Sequence, residues 1–193
     1  MRLFAAVETP DAVRQSLAAW IAPLQKACPR ARWVPAANLH VTLKFIGDAK
    51  SESLDAIVAV LRAVRQAEEI EIHFRGAGFF PNEQRPRVLW TGIEAGAELA
   101  QLAQSIDRAL EALGIAHEAR DFRPHLTIAR FPEKSDAAAL ARLRTALVAA
   151  GAPDFGSARV ANFHLYRSVL LPSGAEYTRL DSFDFAPSLS AGR

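Results

Sequence analysis

Apolar residues recur along the chain in two rhythms, one of period two and one near 3.6, and their succession predicts the elements. Leu3 to Val7 is a short apolar run that ends at Thr9-Pro10 and reads as a first strand. Pro10 opens a helix with Thr9 as its N-cap, and Val13, Leu17, Trp20, Ile21 and Leu24 mark its apolar face up to Lys26. Pro29 and Pro35 bracket a short strand, Ala31 to Val34, and Asn38 leads into another from Leu39 to Ile46 that Gly47-Asp48 closes. A helix then starts at Ser51-Glu52-Ser53, with Leu54, Ile57, Val58, Leu61 and Val64 on one face. Ile70 to Phe74 alternates as a strand, Gly76 to Arg87 reads as a loop or irregular edge, and Val88 to Ile93 is again a strand. Leu99, Leu102, Ile106, Leu110 and Leu113 define a long helix with Gly114 as its stop. Ile115 to Ala119 is a short expected strand, and Asp121-Phe122-Arg123-Pro124 leads into the strand His125 to Phe131. Ser135-Asp136 caps a helix carrying Leu140, Leu143, Leu147 and Val148. Val160 to Leu171 and Glu176 to Phe185 form a closing hairpin around Pro172-Ser173-Gly174, and the polar stretch from Pro187 reads as a frayed tail.

That order is an α+β fold with helices on the outer faces of mostly antiparallel sheets. Within it, one pattern occurs twice. His40-Val41-Thr42-Leu43 and His125-Leu126-Thr127-Ile128 each hold a histidine and a threonine two residues apart, 85 residues from one another. Positions i and i+2 of a strand share a face, so each stretch presents an imidazole beside a hydroxyl. Five histidines and six threonines in 193 residues give about 0.16 such triplets by chance. The repeat therefore reads as two halves of one site: two pseudo-symmetric lobes whose sheets face each other across a central groove. With no linker or low-complexity stretch between them, residues 1–186 read as one domain and 187–193 as the tail.

Composition narrows the setting. Half the residues are apolar and the net charge is +2, too small to announce nucleic acid, although 19 of the 23 basic residues are arginines, which suit phosphate. The single cysteine, Cys28, allows neither an internal disulfide nor a cysteine-based zinc site. Glu8 and Pro10 arrive too early for a signal peptide, and no apolar run approaches the ~20 residues of a membrane span. A cytoplasmic monomer, with no membrane contact and no obligate protein partner, is the expectation.

Two opposed imidazoles suit general acid–base chemistry, because one can be neutral while the other is protonated near pH ~6.5. A displacement at phosphorus needs that pair, with the two threonine hydroxyls donating to the non-bridging oxygens. His73, His117 and His164 lack such partners and read as ordinary surface or sheet-face residues. His40, His125 and an acidic residue could instead bind zinc or iron, although no His-x-His or His-x-x-x-His spacing supports it. There is no Gly-x-Ser-x-Gly elbow, no Gly-rich phosphate loop with Lys-Ser/Thr and no Gly-x-Gly-x-x-Gly, so ATP- or NAD-dependent chemistry has no support and no cofactor is expected.

The paired motifs resemble those of the 2H phosphoesterase superfamily, and more closely the RNA 2′,3′-cyclic phosphodiesterases, also called 2′-5′ RNA ligase-like proteins. The likeness runs from Arg2-Leu3-Phe4 through Trp33-Val34-Pro35, the stretch Asn38 to Gly47 and Pro86 to Trp90. It continues through Phe122 to Arg130 and Ser168-Val169-Leu170 to Gly174-Ala175-Glu176-Tyr177. The resemblance implies metal-independent hydrolysis of a 2′,3′-cyclic phosphate, at an RNA end or on a nucleoside, to a 2′-phosphate. A second reading within the same chemistry is the reverse reaction, joining a 2′,3′-cyclic end to a 5′-hydroxyl by a 2′-5′ bond, and the absence of a Lys-x-Asp-Gly motif means that it should not need ATP. The resemblance makes His40 the proton donor and His125 the proton acceptor, an orientation that the near-identical half-sites do not themselves reveal. Phe45 would pack near the nucleobase and Arg130 would contact phosphate. Simple alternation points elsewhere: both lie five residues after a motif histidine, an odd offset that reaches the groove only through a twist or bulge. Lys44, at an even offset, is the residue alternation puts beside His40. An RNA- or nucleotide-binding module with little or no turnover is the reading from a different class.

Overall fold

The computed structural model describes residues 1–66, 68–133, 135–171 and 174–185. Strand β1 (Arg2–Glu8) is buried on both faces, which accounts for its unbroken apolar run. Leu3, Ala5 and Val7 enter the main core, while Phe4 and Ala6 join a second, smaller cluster with Tyr166 on the opposite face. Around β1 stands a four-stranded sheet in the order β3-β1-β8-β9, formed with β3 (His40–Asp48), β8 (Asn162–Leu171) and β9 (Gly174–Asp184). The second sheet has five strands in the order β2-β6-β5-β4-β7. Its members are β2 (Arg32–Trp33), β4 (Ile70–Phe80), β5 (Val88–Ala95), β6 (His125–Arg130) and β7 (Asp154–Val160). Every ladder is antiparallel. Each sheet thus runs outward from a motif strand, β3 in one and β6 in the other, with the short β2 added beside β6.

Four α-helices cover the sheets among the described residues, as the periodicity predicts: α1 (Asp11–Ala27), α2 (Leu54–Ala63), α3 (Ala97–Glu111) and α4 (Ala137–Ala150). They are placed crosswise. Helix α1 follows β1 of the four-stranded sheet yet packs with α4 and β7 of the other, while α3 follows β5 and packs with α2 and β3. The lobes are therefore interleaved rather than sequential halves of the chain, which ties them into one folded unit. No helix among the described residues is long and apolar enough to cross a membrane.

Four expectations give way to the structure. Strand β4 continues to Phe80 by a register shift between Arg75 and Ala77, so Gly76-Ala77-Gly78-Phe79-Phe80 is sheet, not loop. The run from Val160 to Leu171 is divided at Ala161, where the chain leaves one sheet as β7 and enters the other as β8. Ile115 to Ala119 forms no strand, because its backbone is bound by side chains: Ala116 O accepts from Lys44 and Glu118 N donates to Asp107. Thr9 does not cap α1. Pro10 is the N-cap residue, without a side-chain bond, and the buried Thr9 hydroxyl has no partner. Asp136 does cap α4, accepting from Ala138 N at 2.9 Å. Pro172 and Ser173 of the expected turn, and the tail from Pro187, lie outside the described residues.

Candidate active site

The two motif strands carry the same irregularity at the same place. On β3, Thr42 pairs with Ala6 and Lys44 with Ala5, leaving Leu43 as an extra residue. On β6, Thr127 pairs with Trp90 and Ala129 with Leu89, leaving Ile128 extra. Each is a β-bulge three residues after the histidine, and a bulge inverts the facing of everything beyond it. The burial sequences agree position by position: half-buried, buried, half-buried, buried, buried, exposed. Phe45 and Arg130 accordingly share the face of His40-Thr42 and His125-Thr127, against simple alternation. Phe45 is 55% exposed, with its ring centroid 6.3 Å from that of Phe4.

The same bulge turns Lys44 inward, which corrects the expectation that it stands beside His40. Lys44 is 5% exposed, and its Nζ lies 2.5 Å from Asp107 Oδ1 of α3 and donates to Ala116 O at 2.6 Å. His117 Nδ1 and Glu118 N also engage the Asp107 carboxylate. Burial alone would raise the Asp107 carboxyl, but Lys44, the Glu118 N–H and His117 hold it below the ordinary aspartate range. One buried ion pair thus ties the strand of His40 to the segment that leads to His125.

The imidazoles are held alike. His40 Nδ1 donates to the carbonyl oxygen of Asn38 at 2.7 Å, and His125 Nδ1 to that of Arg123 at 2.8 Å. A carbonyl can only accept, so each Nδ1 carries hydrogen and the exchangeable position is Nε2. Asn38 is itself fixed, its side chain donating to Ala175 O of β9 at 2.7 Å. Aromatic rings set the tilt. The His40 ring stacks on Phe4 at 4.7 Å and meets Tyr177 edge-on at 5.1 Å, while His125 meets Phe80 edge-on at 5.2 Å, and Phe80 stacks on Trp90. Trp90 lies over Gly78, where a Cβ would overlap its ring. A cleft of about 210 Å³ opens beside His40 between Glu8, Arg14, Asn38, Tyr166, Tyr177 and Arg179. Within its lining Glu8 accepts from Tyr166 Oη at 2.7 Å and from Arg179.

The half-sites also act on one another. Burial pushes the His40 imidazole below the ordinary histidine range against its bond to the Asn38 carbonyl, and the positive charges of Arg130 and His125 push the same way. Two residues from the other sheet therefore act electrostatically on His40. Replacing Arg130 by glutamine removes one depressing charge, so the His40 midpoint in an NMR pH titration is expected below ~6.5 in the wild type and higher in Arg130→Gln. An unmoved midpoint would separate the half-sites. Among the described residues, no group of three or more His, Cys, Asp or Glu side chains converges as a metal cage would require.

The 2′-5′ RNA ligase superfamily model matches residues 11–169. The chain belongs to that superfamily. Among curated members, an RNA 2′,3′-cyclic phosphodiesterase of Archaeoglobus fulgidus is 35% identical over 188 residues, covering 95% of this chain and 100% of the relative. One of Methanothermobacter thermautotrophicus is 36% identical over 184 residues, covering 95% and 98%. The superfamily fold is equally evident in E. coli LigT complexed with 3′-AMP, at TM-score 0.76 and 29% identity over 95% of this chain and 97% of that one. The paired histidines and threonines stand out in the sequence as a repeated motif, whereas Phe45 and Arg130 come from the family resemblance alone, against simple alternation. The site roles of Phe4, Asn38, Phe80, Tyr166, Tyr177 and the Lys44–Asp107 pair were not legible in it. Asn38 had a faint signal, standing at the i−2 position whose carbonyl a strand histidine can reach.

Proposed function

We propose that the protein hydrolyses the 2′,3′-cyclic phosphate at the 3′ end of RNA, or on a nucleoside, to a 2′-phosphate without a metal ion. The observation that carries the reading is the matched pair of imidazoles, each anchored through Nδ1 with Nε2 left for proton exchange. His125 Nε2 takes a proton from the water that attacks phosphorus, and His40, as imidazolium, gives one to the departing 3′ oxygen. The P–O3′ bond breaks as the P–O(water) bond forms, and the net proton passes from one ring to the other. His40 then regains its proton and His125 loses its own to solvent. A depressed pKa makes His40 the stronger acid once protonated, and the anionic phosphate offsets the positive charges that depress it. Thr42 and Thr127 donate to non-bridging oxygens, Arg130 binds the phosphate and Phe45 packs on the base. An RNA 5′-hydroxyl attacking in place of water, its proton passing to His125 while His40 again protonates the departing 3′ oxygen, gives 2′-5′ joining by the same pair, without ATP. The activity named for relatives at 35% and 36% identity supports this assignment.

The test is product analysis. Protein in excess chelator is incubated with a nucleoside 2′,3′-cyclic phosphate, and the product is resolved by chromatography. A 2′-phosphate formed at an undiminished rate, with a bell-shaped pH dependence of kcat/KM, is the expected result. A 3′-phosphate would reverse the regiochemistry, and dependence on added metal would end the two-histidine mechanism. RNA affinity that is salt-sensitive and yields no product would favour a binding module.

A further inference from the structure

We propose that Arg32 binds the phosphodiester one nucleotide inward from the RNA end, so that the protein prefers an oligonucleotide to a free nucleoside cyclic phosphate. The inference rests on the function proposed above and adds a second phosphate site to it. Arg32 stands directly opposite Arg130 across the β2–β6 ladder. Directly opposed residues of an antiparallel pair share a face, and the β6 bulge puts Arg130 on the groove face with Thr127. The next residue of β2 confirms the facing: Trp33 turns inward, packing against the core while its indole N–H donates to Cys28 O at 3.0 Å. Arg32 therefore projects into the groove beside Arg130, and both are exposed.

Like charges directly opposed on a sheet face destabilise it, and a local counter-ion would relieve that cost. Some arginines elsewhere have one: Arg14 pairs with Asp11, Arg62 with Asp181, Arg75 with Glu94 and Arg179 with Glu8. Among the described residues, neither Arg32 nor Arg130 has a carboxylate within 4.0 Å. Two adjacent guanidinium groups without an acid make a site for phosphate oxygens. Their positions relative to the histidines differ. Arg130 stands on β6, the strand of His125, whereas Arg32 stands one strand outward on the edge strand β2, so Arg32 is a strand farther from that half of the histidine pair. In RNA the next anionic group is the diester on the 5′ oxygen of the terminal ribose, a single sugar away. Two arginines side by side, one at the reacting centre and one outside it, match that spacing of negative charge. A nucleoside cyclic phosphate has only the first.

The measurement is the ratio of kcat/KM for adenylyl-(3′→5′)-adenosine 2′,3′-cyclic phosphate to that for adenosine 2′,3′-cyclic phosphate. It is made with wild type, Arg32→Gln and Arg32→Lys. The ratio is expected to fall about tenfold in Arg32→Gln, as for loss of an exposed charge-assisted hydrogen bond, and to recover in part in Arg32→Lys. With a methylphosphonate in place of the internal diester, wild type and Arg32→Gln should give the same ratio. The salt slope of log(kcat/KM) for the dinucleotide should also flatten by about 0.7 in Arg32→Gln. A ratio unchanged by Arg32→Gln, or lowered equally with the methylphosphonate, overturns the inference. Absence of turnover by wild type on both substrates overturns the proposed function instead.

Discussion

Alanine at His125 is expected to lower kcat for cyclic phosphate hydrolysis by about 10²–10⁴, and alanine at His40 by a similar factor. Each substitution removes one end of a proton relay, so the double variant should be little slower than either single one. The half-sites differ in how much else is lost. His40 stacks on Phe4 and meets Tyr177 edge-on, so His40→Ala leaves a gap in the aromatic cluster, while the aromatic contact of His125 among the described residues is one edge-on meeting with Phe80. His40→Gln, which keeps most of the volume, separates the two effects: stability should return and the rate should not. Initial rates beside thermal unfolding midpoints check this. Retention of more than a tenth of wild-type kcat by either alanine variant would count against the mechanism.

The largest effect on stability is expected at Lys44, outside the chemistry. Lys44→Met leaves the Asp107 carboxylate 6% exposed with its main partner gone, a loss of about 3–5 kcal/mol. For a chain of this size that is a fall of roughly 6–20 °C in Tm. Lys44→Met with Asp107→Leu removes both charges and should recover most of the loss, since a buried pair and a packed apolar pair are often near-equal. The pair's contribution is in place above the ordinary aspartate range and fades as pH falls through the depressed Asp107 value. The wild type should therefore lose more stability on acidification than the double variant does. A Tm for Lys44→Met within 2 °C of wild type would refute the argument, as would a double variant no more stable than the single.

The helices and most strands were legible because their apolar positions recur at a fixed period, and the site was legible because its motif occurs twice. Facing beyond the motif was not. A bulge is defined by the partner strand's register, and neither Leu43-Lys44 nor Ile128-Ala129 has a local feature to announce one. Lys44 looked like a groove cation because its acid lies far along the chain, on a helix whose polar face reads as solvent-facing. The division at Ala161 was hidden for a related reason. Either side is a good β sequence, and only the pairing of β7 with β4 and of β8 with β1 separates them. The segment Ile115 to Ala119 looked like a strand by composition, but its backbone bonds to Lys44 and Asp107 instead of a ladder.

The matched bulges bear on how the groove reads direction. Up to the bulge the half-sites are near copies, each with a histidine, a threonine and the same carbonyl anchor, and copies cannot distinguish one end of a bound nucleotide from the other. At the position just past each bulge's inward residue they part: Phe45 on one side, Arg130 on the other. A ribonucleotide is lopsided in the same sense, base at one end and phosphate at the other. On the proposed reading, these two residues give a cleft built from two like halves its polarity, and exchanging them would invite the nucleotide to lie the other way round.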